Sequence, residues 1–145
     1  MKILFVNGPN LNLLGTRKPE LYGTSTLAQV EGRCRDIARE SGRDLVAYQS
    51  NHEGAIIDFL QQHRDAAGAI INPGGLAHTS VVLRDAVADC PFPVVEVHIS
   101  DIQKREEFRR RSYLTEVTAN QFVGMGVAGY EQALRWLIEE TRKKT

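Results

Sequence analysis

Residues 7–23 read NGPNLNLLGTRKPELYG and follow directly on the apolar run Ile3-Leu4-Phe5-Val6. A plain strand-to-helix connection needs only ~2–6 residues. A segment this long, carrying Asn10, Arg17 and Tyr22, has another task. A tyrosine hydroxyl titrates near ~10, and a neighbouring guanidinium favours the phenolate. Arg17 and Tyr22, bounded by Gly15 and Gly23, could form a base that takes a proton from carbon, with the loop closing to exclude water. Taken alone, the two residues suit a surface arginine beside a packed tyrosine better. No G-x-G-x-x-G or G-x-x-x-x-G-K-[ST] pattern is present, so the loop is not a phosphate cradle.

A second group lies in Val94-Val95-Glu96-Val97-His98-Ile99-Ser100. Strand alternation puts Glu96 and His98 on one face. A buried carboxylate must be paired, because burying it alone is costly. Glu96 would then orient and charge His98, leaving an imidazolium able to donate a proton. A structural pair closing a strand is the alternative; the strand-end position favours the first. The amides at Ile99 and Ser100 could take a carboxylate at the start of a following helix. On that helix Arg105 and Arg109 would share a face. The Gly-rich turn Asn72-Pro73-Gly74-Gly75 leads to His78 and Thr79, which open another helix towards the same site. His52 reads first as a cap-region residue, and His63 as a solvated one.

These groups need a scaffold. Short apolar or β-branched runs at 2–7, 44–49, 68–71, 92–99 and 118–124 read as strands. Several are continuously apolar, as expected of parallel strands covered on both faces. Helical patterns occupy 27–41, 52–64, 79–88, 104–113 and 130–142. A Ser50-to-Glu53 capping box and the run Thr24-Ser25-Thr26 give helix starts. In the last helix Tyr130, Leu134, Leu137 and Ile138 form one face, Trp136 falls off it, and Arg142-Lys143-Lys144 suit the negative end of the helix dipole. Alternating β and α predicts a flavodoxin-like, doubly wound five-stranded parallel sheet in a three-layer sandwich. Ligands in such folds bind beyond the carboxyl ends of the strands. Four polar clusters lie at those ends: the opening loop, Ser50-Asn51-His52, the turn from Asn72 to Ser80, and Glu96, His98, Ile99 and Ser100.

The chain has 145 residues, which suits a single domain over 1–145 with one core. Lys plus Arg number 18 and Asp plus Glu 18, so the basic excess expected of a nucleic-acid partner is missing. Cys34 and Cys90 have no zinc or redox spacing and suit a reducing compartment. The apolar start is too short for a signal peptide or a membrane span. A cytoplasmic protein without a membrane partner is the expectation.

NGPNLNLLGTRKPELYG, QSNHEGAIIDFLQ, INPGGLAHTSVVLRDAV, VEVHISDIQKREEFRRRSY and GMGVAGYEQAL together span nearly the whole chain. In order and spacing they resemble the type II 3-dehydroquinate dehydratases. The resemblance implies a homo-oligomer, usually a dodecamer of four trimers. It also implies dehydration of 3-dehydroquinate to 3-dehydroshikimate by anti elimination through an enolate, with no metal and no cofactor. Carried over, Tyr22 resembles the base, with Arg17 lowering its pKa and Arg105 a second associated arginine. Asn10 resembles the residue holding a water against the enolate oxygen. His98 resembles the acid on the departing hydroxyl, supported by Glu96 and Asn72. Ser100 and the Ile99 backbone resemble the carboxylate site, and His78 and Arg109 the contacts to ring hydroxyls. Asp85 corresponds to a residue contributed across the trimer interface. The opening loop is then a lid, with Asn10 at its fixed base and Arg17 and Tyr22 on its moving part.

Asp101, Gln103, Ala77 and Arg111 depart from the Asn, His, Thr and His most often found there. Asp101 either adds a charge near the substrate carboxylate, with a modest loss of affinity, or caps the next helix. The same reaction serves the shikimate pathway of aromatic amino-acid biosynthesis or quinate catabolism, and the residues do not separate them. A non-catalytic flavin- or nucleotide-binding module would need the phosphate loops that are missing. Lys2, Lys18 and Lys104 offer no buried-strand lysine for Schiff-base chemistry.

Overall fold

The computed structural model describes residues 1–143, so Lys144 of the expected basic helix end lies outside the described residues. The strands are β1 (Lys2–Asn7), β2 (Asp44–Gln49), β3 (Gly68–Asn72), β4 (Val94–His98) and β5 (Asn120–Val123). All pairings are parallel, in the order β2-β1-β3-β4-β5, which is the flavodoxin-like order. The helices are α1 (Pro19–Tyr22), α2 (Leu27–Glu40), α3 (Glu53–Gln62), α4 (Val81–Ala88) and α5 (Ala128–Arg142).

Alternation along each strand divides the core between two faces. Ile3, Phe5, Ile70, Val95 and Val97 pack with Val30 and Ile37 of α2 and Leu134 and Leu137 of α5. Leu4, Val6, Ala69, Ile71 and Val94 pack with Ile56 and Leu60 of α3 and Leu83 and Val87 of α4. Burial on both faces explains the uninterrupted apolar runs of β1 and β3. Each fully buried aliphatic side chain contributes about 1.5–3 kcal/mol before the entropy of ordering is subtracted. Trp136 is partly buried against the α2–α5 core.

α2 starts at the cap expected in Thr24–Thr26, which takes the form of a capping box between Thr26 and Gln29. Gln29 N donates to Thr26 Oγ1 at 3.2 Å and Thr26 N to Gln29 Oε1 at 2.9 Å. The box expected at Ser50 and Glu53 does not form. Ser50 Oγ accepts from His52 N at 3.0 Å, and Glu53 instead accepts a hydrogen bond from Ser80, the N-cap of α4. The longer-range partner wins because it joins the starts of two neighbouring helices.

The helix expected at 104–113 is also absent. Two 3₁₀ turns, Ile102–Lys104 and Glu107–Arg109, take its place. Asp101 Oδ1 accepts from Gln103 N at 3.0 Å, and Gln103 Nε2 donates to Arg110 O at 2.8 Å, so side chains use backbone groups that a helix would need. His78, expected to open a helix, ends a 3₁₀ turn, Gly74–His78, and α4 begins only at Val81. His63 is not simply solvated: its ring lies 4.4 Å from that of Phe59, and Lys2 Nζ donates to its Nδ1 at 3.1 Å.

Strand order reverses at β1, which pairs with β2 on one side and β3 on the other. The loops leaving β1 and β3 therefore meet. Gly8 N donates to Asn72 O at 2.8 Å. A Cβ at Gly8 would sit 2.5 Å from Pro73 O, so only glycine allows this approach. Gly74, at φ +58, turns the second loop beside Pro9. This junction floors the cleft.

Candidate active site

Beyond the carboxyl ends of β1, β3 and β4 lies a cleft of about 190 Å³. It is lined by Asn10, Arg17, Tyr22, Asn72, His78, His98, Ile99, Ser100, Arg105 and Arg109, with Pro9, Leu11, Gly74, Gly75 and Ile102. All the site residues expected from the sequence except Glu96 and Asp85 thus share one cavity. Glu96 lies beneath it, fully buried. Asp85 is exposed on α4 and does not line the cleft.

Tyr22 ends α1, a short helix inside the opening loop that sequence reasoning missed. Arg105 Nη1 donates to Tyr22 Oη at 3.2 Å and to Ser100 Oγ at 3.0 Å. The Arg17 and Arg105 guanidinium carbons lie 5.3 and 5.9 Å from the Tyr22 ring centre. Burial pushes the phenol up, but the bond and charge of Arg105, joined by Arg17, outweigh it and hold Tyr22 below its ordinary value. Arg105 is the stronger influence, although it is remote in sequence. Arg17 is secondary.

His98 Nε2 lies 2.5 Å from Glu96 Oε2, the pairing expected from strand alternation. Three further groups donate to Glu96: Ser112 to Oε2, Gln121 Nε2 to Oε1 at 3.0 Å, and Thr115 Oγ1 to Oε1 at 3.3 Å. Burial pushes this carboxyl up, but His98 and the Ser112 and Gln121 donors reverse the effect and hold it below the ordinary carboxylate range. A carboxylate fixed in this way must receive a proton-bearing Nε2 from His98. The other ring nitrogen, Nδ1, then belongs to the cleft. Ser112, Thr115 and Gln121 were missed from the sequence; only the β4–β5 register, which pairs Glu96 with Gln121, brings one of them into view.

His78 Nδ1 donates to Arg111 O at 2.7 Å, and its ring centre lies 6.3 Å from that of His98. Burial lowers its pKa, with His98 and Arg109 adding to the effect, so the ring is held neutral. Its Nε2 is an acceptor. Asn72 does not bond His98; its Nδ2 donates to Tyr130 Oη at 2.8 Å and its Oδ1 accepts from Gly74 N at 3.1 Å. Arg109 Nε donates to Glu106 Oε2 at 2.8 Å. Asn10 is held in the left-handed region at φ 72, and its N–H donates to Asn51 Oδ1 at 2.9 Å. The Ile99 carbonyl accepts from Gly126 N, which fixes the chain entering Ser100. Asp101, Gln103, Ala77 and Arg111 all stand outside the cleft lining.

Arg17, Arg105 and Arg109 bring three guanidinium groups to the cleft lining; of the neighbouring carboxylates, Glu106 pairs with Arg109 and Arg105, and Glu96 with His98. Such a cavity suits a small anion and offers it a phenol, an imidazole and amide donors. Among the described residues no group of three or more His, Cys, Asp or Glu side chains could hold a metal ion. Among them, too, no helix is long and apolar enough to cross a membrane.

Residues 1–138 match the family model described as dehydroquinase class II. The chain is 48% identical over 139 residues to catabolic 3-dehydroquinase 2 of Neosartorya fischeri, covering 95% of this chain and 93% of that one. It is 48% identical over 140 residues to 3-dehydroquinate dehydratase of Herminiimonas arsenicoxydans, covering 95% and 97%. The crystal structure of the type II dehydroquinase from Butyrivibrio crossotus superposes with a TM-score of 0.92 at 41% identity, over 94% of this chain and 97% of that one. On sequence and on fold alike, this chain belongs to the class II dehydroquinases, the type II 3-dehydroquinate dehydratases.

Proposed function

We propose that the cleft dehydrates 3-dehydroquinate to 3-dehydroshikimate by anti elimination through an enolate. The observation that carries this reading is that Tyr22, beside two arginines, lines the same cavity as His98, which is paired to the buried Glu96 beneath it. One is a phenol biased to ionise. The other is an imidazole with a fixed carboxylate behind it.

Tyr22 Oη takes the proton from the carbon beside the ketone, and the electron pair passes to the ketone oxygen. Asn10, through a water, stabilises the resulting enolate oxygen. The enolate then expels the hydroxyl at the neighbouring carbon, and His98 gives it a proton so that it leaves as water. Glu96 steadies the imidazolium before that transfer. Ser100 and the backbone at Ile99 receive the substrate carboxylate, and Asn72, His78 and Arg109 contact the remaining polar groups. Arg17 and Tyr22 move with the loop that closes the cleft.

The pathway has two readings. Biosynthesis of aromatic amino acids is the first, and the name of the Herminiimonas relative is neutral on it. Relatives named catabolic 3-dehydroquinases favour quinate breakdown as the second. Growth on quinate with and without the gene separates them. We further propose a homo-oligomer, a dodecamer of four trimers, in which Asp85 reaches a neighbouring cleft. Its exposure on α4 beside Val81 and Val82, which are 53% and 52% exposed, supports this.

The reaction is tested by ultraviolet absorbance, because the product is a conjugated enone and the substrate is not. Wild-type protein with chelator should produce the rise, and Tyr22→Phe almost none. Folded wild type giving no rise would overturn the proposal.

A further inference from the structure

Tyr130 is fully buried on α5, inside the stretch GMGVAGYEQAL, and the reaction above makes no use of it. Its hydroxyl reaches the strand-order reversal. Tyr130 Oη donates to Asn7 Oδ1 at 2.7 Å, at the end of β1, and accepts from Asn72 Nδ2 at 2.8 Å, at the end of β3. Asn7 and Asn72 are register partners in the β1–β3 pairing. The hydroxyl thus joins the two strand ends whose loops floor the cleft.

We infer that Tyr130 is a positioning residue for the proposed reaction, acting through the orientation of the Asn72 carboxamide at the cleft floor. The inference rests on that reading of the cleft. Asn72 Oδ1 accepts from Gly74 N, so a flipped amide would set NH₂ against an N–H. One Nδ2 hydrogen is used by Tyr130, and one is left for the cavity that Asn72 lines. Without the hydroxyl, only the Gly74 bond holds the amide, and it is free to rotate about its remaining torsion. Ring packing is a separate matter. Tyr130 lies against Phe5, with ring centres 5.3 Å apart, and phenylalanine would keep that contact.

Tyr130→Phe is compared with wild type, with Asn72→Ala and with the double variant in the absorbance assay. We expect kcat/KM to fall about tenfold in Tyr130→Phe, mostly through KM, and less than about twofold further when Asn72 is already alanine, because residues in one network do not act additively. Equal losses in both backgrounds, or wild-type kinetics in Tyr130→Phe, would overturn the inference. Asn7→Ala, which removes the acceptor of the hydroxyl, should show a smaller loss with the same dependence on Asn72, and serves if Tyr130→Phe does not fold. Amide hydrogen exchange over 73–79 gives a readout independent of activity: Gly74 should exchange at least several-fold faster in Tyr130→Phe. Unchanged exchange counts against Tyr130, whereas an inactive wild type with faster exchange in the variant counts against the proposed reaction alone.

Discussion

Arg105 donates to the hydroxyl of Tyr22 across 3.2 Å, although 83 residues separate them in the chain. The pair ties the opening loop to the segment after β4, and it sets the charge state of the phenol more strongly than Arg17 does. Arg105 therefore has two tasks. It favours the ionised phenol, and it holds Ser100 through the same nitrogen.

Replacing Arg105 by glutamine should remove the larger of the two cationic influences and leave burial less opposed. The phenol pKa then rises, so the limb of kcat/KM that climbs with pH moves to higher pH. At neutral pH the loss should reach about 10²-fold, the low end of what a positioned acid or base supplies. A pH profile of the variant checks this, and an unmoved limb would remove Arg105 from the activation of Tyr22. Arg17→Gln should displace the same limb by less.

Glu96 should show itself in stability as well as in turnover. Its folded pKa is depressed, by His98 and its other donors against the effect of burial. A depressed carboxyl contributes stability that is fully present above the unfolded value of about 4.3 and is lost as pH falls through the lower folded value. Wild type should therefore lose stability in that acid window, and Glu96→Gln much less steeply. Glu96→Ala strands His98 and the hydroxyl and amide donors in a buried site, at a cost of about 3–5 kcal/mol. Urea unfolding at pH 7 and below pH 4 measures both effects.

The Asp101 carboxylate has its partner in the backbone of Gln103 and does not line the cleft. Of the two roles open to it in the sequence, the structure shows the cap. Asparagine caps equally well. Asp101→Asn should leave KM for 3-dehydroquinate within about twofold of wild type, since one N-cap acceptor replaces another of like strength. A clear fall in KM would restore the idea that its charge opposes the substrate carboxylate.

The strands and most helices could be read from the chain because two-sided burial leaves an unbroken apolar signal. Ile3 to Val6 and Gly68 to Ile71 are such runs. The cleft residues were also readable, since strand ends in a doubly wound sheet collect the polar groups. Residues 102–113 were not. Their charges give no dependable period, and side-chain bonds from Asp101 and Gln103 to backbone groups fold them into two short turns. Partners distant in sequence were equally hidden. Ser112 and Gln121 on Glu96, and Tyr130 between Asn7 and Asn72, follow only from register and from the path of the chain in space.

His78 carries the last prediction. Its Nδ1 proton is committed to the Arg111 carbonyl, and burial together with His98 and Arg109 keeps the ring neutral, so Nε2 can only accept. The substrate group opposite must then be a donor, which a ring hydroxyl is and a carboxylate is not. His78→Ala deletes one neutral hydrogen bond, worth about 0.5–1.5 kcal/mol, or roughly two- to twelvefold. If the bond is as strong in the bound substrate as in the transition state, the whole loss falls on KM and kcat is unchanged. Steady-state kinetics of His78→Ala decide the matter. A fall in kcat with KM unchanged would mean that His78 shares the proton transfer assigned to His98, 6.3 Å away between ring centres.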